Sequence, residues 1–398
     1  MSKSVSVLKQ LGSARLMPTT PAPSLSAFAA LCSQKATREQ YPLALSIEKN
    51  VPVYKLPPMA SCSPEQRAAL QDEWYRVLLD GPGVLVAKQL FPNHRLLDRS
   101  SSTLMDIIRS EREASTSRQG GDHFAGAGKN DRVWNSFSKQ CLADPASFVE
   151  YYANPWLGLI ASSWLGSGYR ITAQVNNVKP GGEAQVCHRD YHLGFMSEER
   201  CARIPQAMHV ASQFLTLQGA VAHLDTPLES GPTRLLPYSQ AFAPGYLAYR
   251  LPEFNDFFLD NYVALPLEKG DGLFFNPALF HAAGTNQSPK DRLANLLQIS
   301  SPFGKPMESI DTRPLLVSCW DEMLHLARER GFGDEVDAIL AAVGQGYPFP
   351  TNLDRNPPRN EEMAPQSEQG LLRELLREGK DKKSVLEAFD EFHRNTQA

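Results

Sequence analysis

The segment Cys187-His188-Arg189-Asp190-Tyr191-His192 carries side chains that can bind a metal or move a proton. On an extended strand alternate side chains share a face. His188 and Asp190 would then point one way, and Cys187 and Arg189 the other. An imidazole and a carboxylate two residues apart can take adjacent positions around one ion. A second imidazole from another strand would complete a set of two histidines and one carboxylate. That set leaves three coordination positions open and suits non-haem iron(II). Taken alone, His-x-Asp also describes a histidine hydrogen-bonded to a neighbouring acid on a surface strand, and three residues favour that plainer reading. A zinc-protease arrangement would place His188 and His192 on one face of a helix, but it needs Glu directly after the first His. Arg189 stands there, and the segment follows a Gly181-Gly182 turn rather than a helix start.

A second constellation runs from Lys269 to Arg292. The turn Lys269-Gly270-Asp271 leads into the apolar run Gly272-Leu273-Phe274-Phe275, and His281 stands near the end of this stretch. A polar connection with Gly284, Asn286 and Pro289 follows, and Arg292 opens a returning apolar strand, Leu293 to Ile299. An antiparallel return can bring Arg292 back beside His281. A guanidinium grips a carboxylate through two parallel hydrogen bonds, which an ammonium cannot match. A dicarboxylic keto acid could therefore chelate iron at one end and meet Arg292 at the other.

The elements that must carry these residues follow from periodicity. Ser63-Pro64-Glu65-Gln66 has the form of a helix start, with Ser63 as cap, Pro64 in the first turn and Gln66 closing a capping box. Leu70, Trp74, Val77 and Leu78 continue it at helical spacing, and Asp80-Gly81-Pro82-Gly83 ends it. Val84–Ala87 reads as a buried strand. Residues 146–166 read as helix with a break near Pro155. From Arg170 the pattern changes to short strands: Ile171–Val178, Gln213–His223, Thr233–Leu236, Tyr262–Leu267, Gly272–Phe275 and Leu293–Ser300, with Gly and Pro turns between them. Such a run suggests a sandwich or barrel. After about residue 305 helices return. Leu316, Trp320, Met323, Leu324 and Ala327 share a face with Gly331 as cap, and residues 367–392 form a last amphipathic helix. Residues 1–60, rich in Ser, Pro and Ala, read as an extension. The expected division is an N-terminal extension (1–60), a catalytic domain (61–305) and a C-terminal helical extension on the same domain (306–398).

Taken in order, these elements make the chain resemble the phytanoyl-CoA dioxygenase family of iron(II)- and 2-oxoglutarate-dependent oxygenases. The matching residues are His188-x-Asp190, Gly270-Asp271 before the strand to His281, and Arg292 eleven residues after His281. Leu224 to Thr233, with Gly231-Pro232, resembles the family's acidic and Gly-Pro turn, and Lys179-Pro180-Gly181 resembles the turn before the first metal strand. The likeness covers about residues 65–303. It implies a double-stranded β-helix, a jelly-roll (cupin-like) core within a mainly β protein with flanking helices. It also implies iron(II) on His188, Asp190 and His281, with 2-oxoglutarate and O2 as co-substrates. The implied reaction oxidises a C–H bond by hydroxylation, desaturation or ring closure while 2-oxoglutarate becomes succinate and CO2. By the same resemblance Asn177 and Gln185 are candidates for further contacts to 2-oxoglutarate. Two departures stand out. Ala294 occupies a place where such enzymes often carry a hydroxyl residue, so Arg292 would take its help from elsewhere, with Thr216 a candidate. Pro237-Tyr238-Ser239-Gln240 replaces the usual Pro-Gly-Ser-His. Asp190 is present where related halogenases have a small residue. A binding module or a redox-neutral isomerase on the same scaffold are the alternative readings.

Composition fits this class. The chain has 398 residues, 42% hydrophobic and 21% charged, with a formal net charge of −4, and it lacks the basic stripe of a nucleic-acid binder. No apolar run approaches the roughly 20 residues of a membrane helix, and no signal-peptide pattern or Ser-Lys-Leu-type tail is present. The six cysteines are scattered, as in a reduced, cytoplasmic protein. The expected partner is a small molecule, amino-acid-like or a secondary metabolite, with no nucleic acid and no membrane; a homodimer is compatible. The Gly-rich stretch 113–131, with His123 and Phe124 and followed by Arg132 and Trp134, is expected to form a mobile cover. His94, His325 and His393 read as surface residues, His209 and His223 as satisfied hydrogen-bonders, and His192 as a neighbour of the metal or substrate.

Overall fold

The computed structural model describes residues 15–19, 21–114, 129–359 and 362–397. Most of the expected cover, residues 115–128 with His123 and Phe124, lies outside the described residues. The chain divides into two compact units, one holding the described residues up to Pro92, Lys129–Arg132, and Val175–Leu297. The other holds Asn93–Ala114, Val133–Gln174 and the chain from Gln298.

The strands are β1 (Ser46–Glu48), β2 (Val51–Lys55), β3 (Val84–Lys88), β4 (Asn130–Val133) and β5 (Arg170–Val178), then β6 (Thr216–Ala222), β7 (Arg234–Leu236), β8 (Gly272–Phe275), β9 (Phe280–Ala282) and β10 (Arg292–Ser300). Eight form one sheet in the order β1-β2-β3-β8-β6-β10-β5-β4, and β7 pairs with β9 in a second sheet of two. β2 and β3 are parallel, so the chain must cross over between them. The helix Pro64–Leu79 makes that crossover, with the expected Ser63–Gln66 capping box and Pro in its first turn. It buries Trp74, Val77 and Leu78.

Two apolar clusters frame the first unit. Val51, Val53, Val84, Val86, Leu235, Leu273 and Phe275 pack together. Phe28, Phe242, Phe254, Phe258 and Phe280 form the other. Phe28 is wholly buried, 4.8 Å from Phe280 and 5.1 Å from Phe242 between ring centroids. Burying such a ring contributes roughly 2–3 kcal/mol. The stretch expected as a bare extension therefore supplies the helix Leu25–Cys32, which carries Phe28, and two strands of the large sheet.

The second unit is helical. Pro145–Tyr152 and Pro155–Leu165 replace one helix with the expected break at Pro155, where Asn154 caps the second. Gly331, in the left-handed region at φ 76°, closes Thr312–Arg330 as expected. The last helix is two, Glu368–Arg377 and Lys382–Thr396, because Gly379 turns left-handed and Asp381 starts a new cap.

Three expectations need correction. The described residues hold more helix than strand, so the protein is a mixed structure with a large sheet rather than mainly β. Tyr262–Leu267 is no strand; Val263 and Leu267 make isolated bridges to Leu235 and Thr226. The His188 segment is no regular strand either. No described helix is long and apolar enough to cross a membrane.

Candidate metal centre

The segment bearing the first two candidate ligands is held by backbone bonds to the segment bearing the third. Gly181 turns left-handed after β5, and the amide of Gln185 donates to the Ala283 carbonyl at 3.0 Å. His188 and His281 exchange both backbone hydrogen bonds, at 3.0 and 3.1 Å, and the Asp190 amide donates to the Pro277 carbonyl at 3.1 Å. This is one isolated antiparallel bridge rather than a ladder. His281 is fixed on its other side by β7, where it opposes Leu235. The extended pairing keeps the alternation expected from the sequence, so His188 and Asp190 meet on one side.

His188, Asp190 and His281 offer ligand atoms that all lie within 4.8 Å of one another. His188 Nε2 is 3.7 Å from one Asp190 carboxylate oxygen, and His281 Nε2 is 3.6 Å from the other. Each imidazole is oriented by its far nitrogen. His188 Nδ1 lies 2.9 Å from the Val186 carbonyl and His281 Nδ1 lies 2.9 Å from the Leu279 carbonyl. A carbonyl only accepts, so Nδ1 carries the proton and Nε2 presents its lone pair inward. Gln218 on β6 donates its amide to Asp190 Oδ2 at 2.7 Å and sets the carboxylate's rotation. Burial would raise the Asp190 carboxyl, but the two imidazoles and Gln218 outweigh it and hold it well below the usual carboxylate range. Burial, together with the repulsion of a second imidazole, pushes His188 down despite Asp190. A neutral imidazole and an ionised carboxylate are the forms that bind a metal.

Arg292 opens β10 and is 7% exposed. Its Nη1 donates to the Ser230 carbonyl at 3.0 Å and the Gly284 carbonyl at 3.3 Å, which leaves Nη2 and Nε for a bidentate partner. Those two carbonyls come together because Gly231, left-handed at φ 70°, lies against Gly284 where a Cβ would overlap backbone. Burial pulls the Arg292 guanidinium down to about 10, with no described carboxylate opposing the shift. It remains a cation near neutrality, desolvated and unmatched. Gly284 lies three residues past His281, about 10 Å of extended chain, a span that a five-carbon dicarboxylate can bridge in part.

The other expected residues fall differently. Asn177 donates its amide to Asp291 at 2.8 Å, beside Arg292, and the Gln185 side-chain oxygen accepts from the Ala283 amide at 3.1 Å. Both are engaged in framing the site. Thr216 does not assist Arg292. The His223 amide bonds the Leu293 carbonyl, so Arg292 adjoins the far end of β6, and Thr216 stands about 20 Å back along that strand. Thr216 instead lies 3.4 Å from His192 Nε2. His192 begins a short 3-10 turn at φ 54°, so it leaves the alternation that would have put it with the ligands. Sequence reading missed Gln218, a strand residue with nothing local to mark it, and Arg189, which it had placed only as facing away.

A family model described as "Phytanoyl-CoA dioxygenase (PhyH)" matches residues 62–294. The uncharacterized protein YJR154W of Saccharomyces cerevisiae is 26% identical over 188 residues, 46% of this chain and 47% of that protein. Among solved structures the chain is similar to the epimerase SnoN of nogalamycin biosynthesis, described as non-heme and alpha ketoglutarate dependent, at 18% identity and a TM-score of 0.39, over 59% of this chain and 84% of that one. It is also similar to the carbocyclase SnoK of the same biosynthesis at 18% identity and a TM-score of 0.43, over 61% and 85%.

Proposed function

Because the chain belongs to the phytanoyl-CoA dioxygenase family, we propose that it is an iron(II)- and 2-oxoglutarate-dependent oxygenase acting on a C–H bond of a small metabolite, by hydroxylation, desaturation or ring closure. Family membership and the donor set together support an oxygenase-type enzyme with iron and 2-oxoglutarate. The observation that carries the reading is the convergence of His188, Asp190 and His281 with both imidazoles locked to present Nε2. The proposed frame is the family's double-stranded β-helix, formed by the first unit.

Bound iron with 2-oxoglutarate and O2 would supply the oxidation, and the chain's own residues do the rest. His188, Asp190 and His281 hold the metal through three protein ligands and leave the remaining positions open. Arg292 holds the distal carboxylate of 2-oxoglutarate, since an unmatched desolvated guanidinium favours a bidentate anion. Asn177 and Gln185 keep Asp291 and Ala283 in place on either side. Gln218 keeps the Asp190 carboxylate turned toward the imidazoles. A non-catalytic binding module on the same scaffold would have no physical need for the triad and Arg292 together. The test is succinate release from 2-oxoglutarate, screened across amino-acid-like and secondary metabolites with iron(II) present. The expected result is release that depends on one class of substrate. Substrate conversion without succinate would instead indicate a redox-neutral reaction.

A further inference from the structure

The residue between the first two candidate ligands is a cation whose hydrogen-bond partners, among the described residues, include no carboxylate. Arg189 is 2% exposed. Its Nη2 donates toward three carbonyls of one turn, those of Ser239 (2.5 Å), Phe242 (3.1 Å) and Gln240 (3.4 Å). Its guanidinium carbon lies 5.0 Å from the Tyr246 ring and 5.2 Å from the Phe280 ring. Gly245 closes the remaining side, where a Cβ would overlap the guanidinium. Carbonyl dipoles and ring faces can solvate a buried guanidinium, but only while all of them stay in place.

Three of those partners, Ser239, Tyr246 and Phe280, lead back to the candidate ligands. Phe280 precedes His281. Ser239 Oγ accepts the Phe280 amide at 2.8 Å and donates to the Leu236 carbonyl at 2.6 Å. Tyr246 donates its hydroxyl to the Asp190 carbonyl at 3.3 Å. The turn is unusual in its own right, because Tyr238 sits at φ 71°, a conformation that favours glycine. Backbone strain of this kind persists only where the surroundings over-determine it. One guanidinium thus joins the ligand segment at 188–190, the turn at 239–246 and the approach to His281.

We propose that Arg189 is a positioning residue that couples this turn to the metal ligands and thereby sets the affinity of the centre. The proposal rests on the metal reading above. Partners behind the ligands commonly carry a ten- to hundredfold share of metal affinity.

The probe is Mn(II) alone, added to metal-free full-length protein, with the dissociation constant of the folded protein as the readout. Arg189→Lys is expected to weaken Mn(II) by about ten- to hundredfold, because a point charge cannot serve three carbonyls and two rings at once. Gly245→Ala, which displaces the guanidinium from the opposite side, is expected to weaken it in the same direction. A purely structural role would lower the metal-free Tm while the affinity of the folded variant stays within twofold of wild type, and that result in either folded variant overturns the proposal. Unmodified protein gives an independent reading. Coupling is reciprocal, so Mn(II) must slow amide exchange across 239–246, and unchanged exchange there overturns the proposal even if neither variant folds. Wild-type protein that fails to bind Mn(II) at all would instead sink the metal reading itself.

Discussion

Two buried charged clusters, one in each unit, are built from the same kinds of residue and end in opposite states. In the second unit Arg170 donates to Thr312 Oγ1 at 3.1 Å and to the Val343 carbonyl at 3.3 Å. Thr312 bonds Glu368 at 3.1 Å, Glu368 accepts the Gln345 amide at 2.8 Å, and His393 Nε2 lies 2.9 Å from the same carboxylate. There the Glu368 carboxylate acts on both cations, on Arg170 across Thr312 and on His393 directly. In the first unit His188, Asp190 and His281 turn their lone pairs toward one point, and among the described residues the hydrogen-bond partners of the Arg292 guanidinium are carbonyls. A buried cluster that closes on itself keeps the fold intact, since breaking a buried pair leaves an uncompensated charge. A cluster left open on both its anionic and cationic sides is poised for something the chain lacks. The likeness in residue types would mislead; the difference in satisfaction identifies the site.

The comparison breaks most visibly at Asp190. Asp190→Ala leaves two imidazoles and should abolish succinate release. Turnover at the wild-type rate would show that the triad is not the centre. In the closed cluster the expected pattern is reversed. Glu368→Gln keeps the shape but leaves buried Arg170 with Asp311 as its remaining counter-charge, and should cost about 3 kcal/mol in urea unfolding, with the Mn(II) affinity of the folded protein unchanged. Activity lost in proportion to charge removal, with stability intact, would contradict the division drawn here. Arg292→Lys should raise the 2-oxoglutarate concentration needed for half-maximal rate by roughly tenfold to a hundredfold, with Mn(II) binding unaltered. An unchanged requirement would move the carboxylate site to another basic residue.

The smallest effect concerns pH. The hydrogen bond to Glu368 raises His393, and the pair holds Glu368 below its ordinary range although burial opposes it. A raised histidine adds stability that is full below its unfolded pKa and fades as pH rises through the higher folded value. A lowered carboxylate adds stability above its unfolded pKa and loses it as pH falls through the lower folded value. The pair should therefore help most from about pH 4.5 to somewhat above pH 6.5. The His393 side chain is 42% exposed, so solvent screening limits its share to about 1 kcal/mol or less. His393→Gln should flatten the decline of Tm between pH 6 and 8, and an unaltered slope would assign that decline to other groups.

Local chemistry was largely legible. Ser63 and Gln66 announced their cap, Pro155 and Gly331 their helix boundaries, and Gly270-Asp271 the entry to β8, because each acts within a few residues of itself. The candidate ligands were legible for a related reason. Metal chemistry restricts residue types severely, and His-x-Asp followed by a histidine and an arginine on one hairpin leaves few other uses. Periodicity misled where pairing is sparse. The His188 segment has the composition of a strand, but it makes a single bridge, and His192 turns left-handed just where the alternation was expected to continue.

Sequence alone thus determined which side chains could bind iron and a dicarboxylate, since donor type and charge are properties of each residue. Only the tertiary structure decided how they are held. Gln218 on Asp190, the Ser230 and Gly284 carbonyls beneath Arg292, and the turn around Arg189 each join residues between eight and 62 positions apart. The same step moved Thr216 away from Arg292 and next to His192. Hydrogen-bond satisfaction of a buried group depends on which distant segments arrive beside it, and no short-range pattern records that.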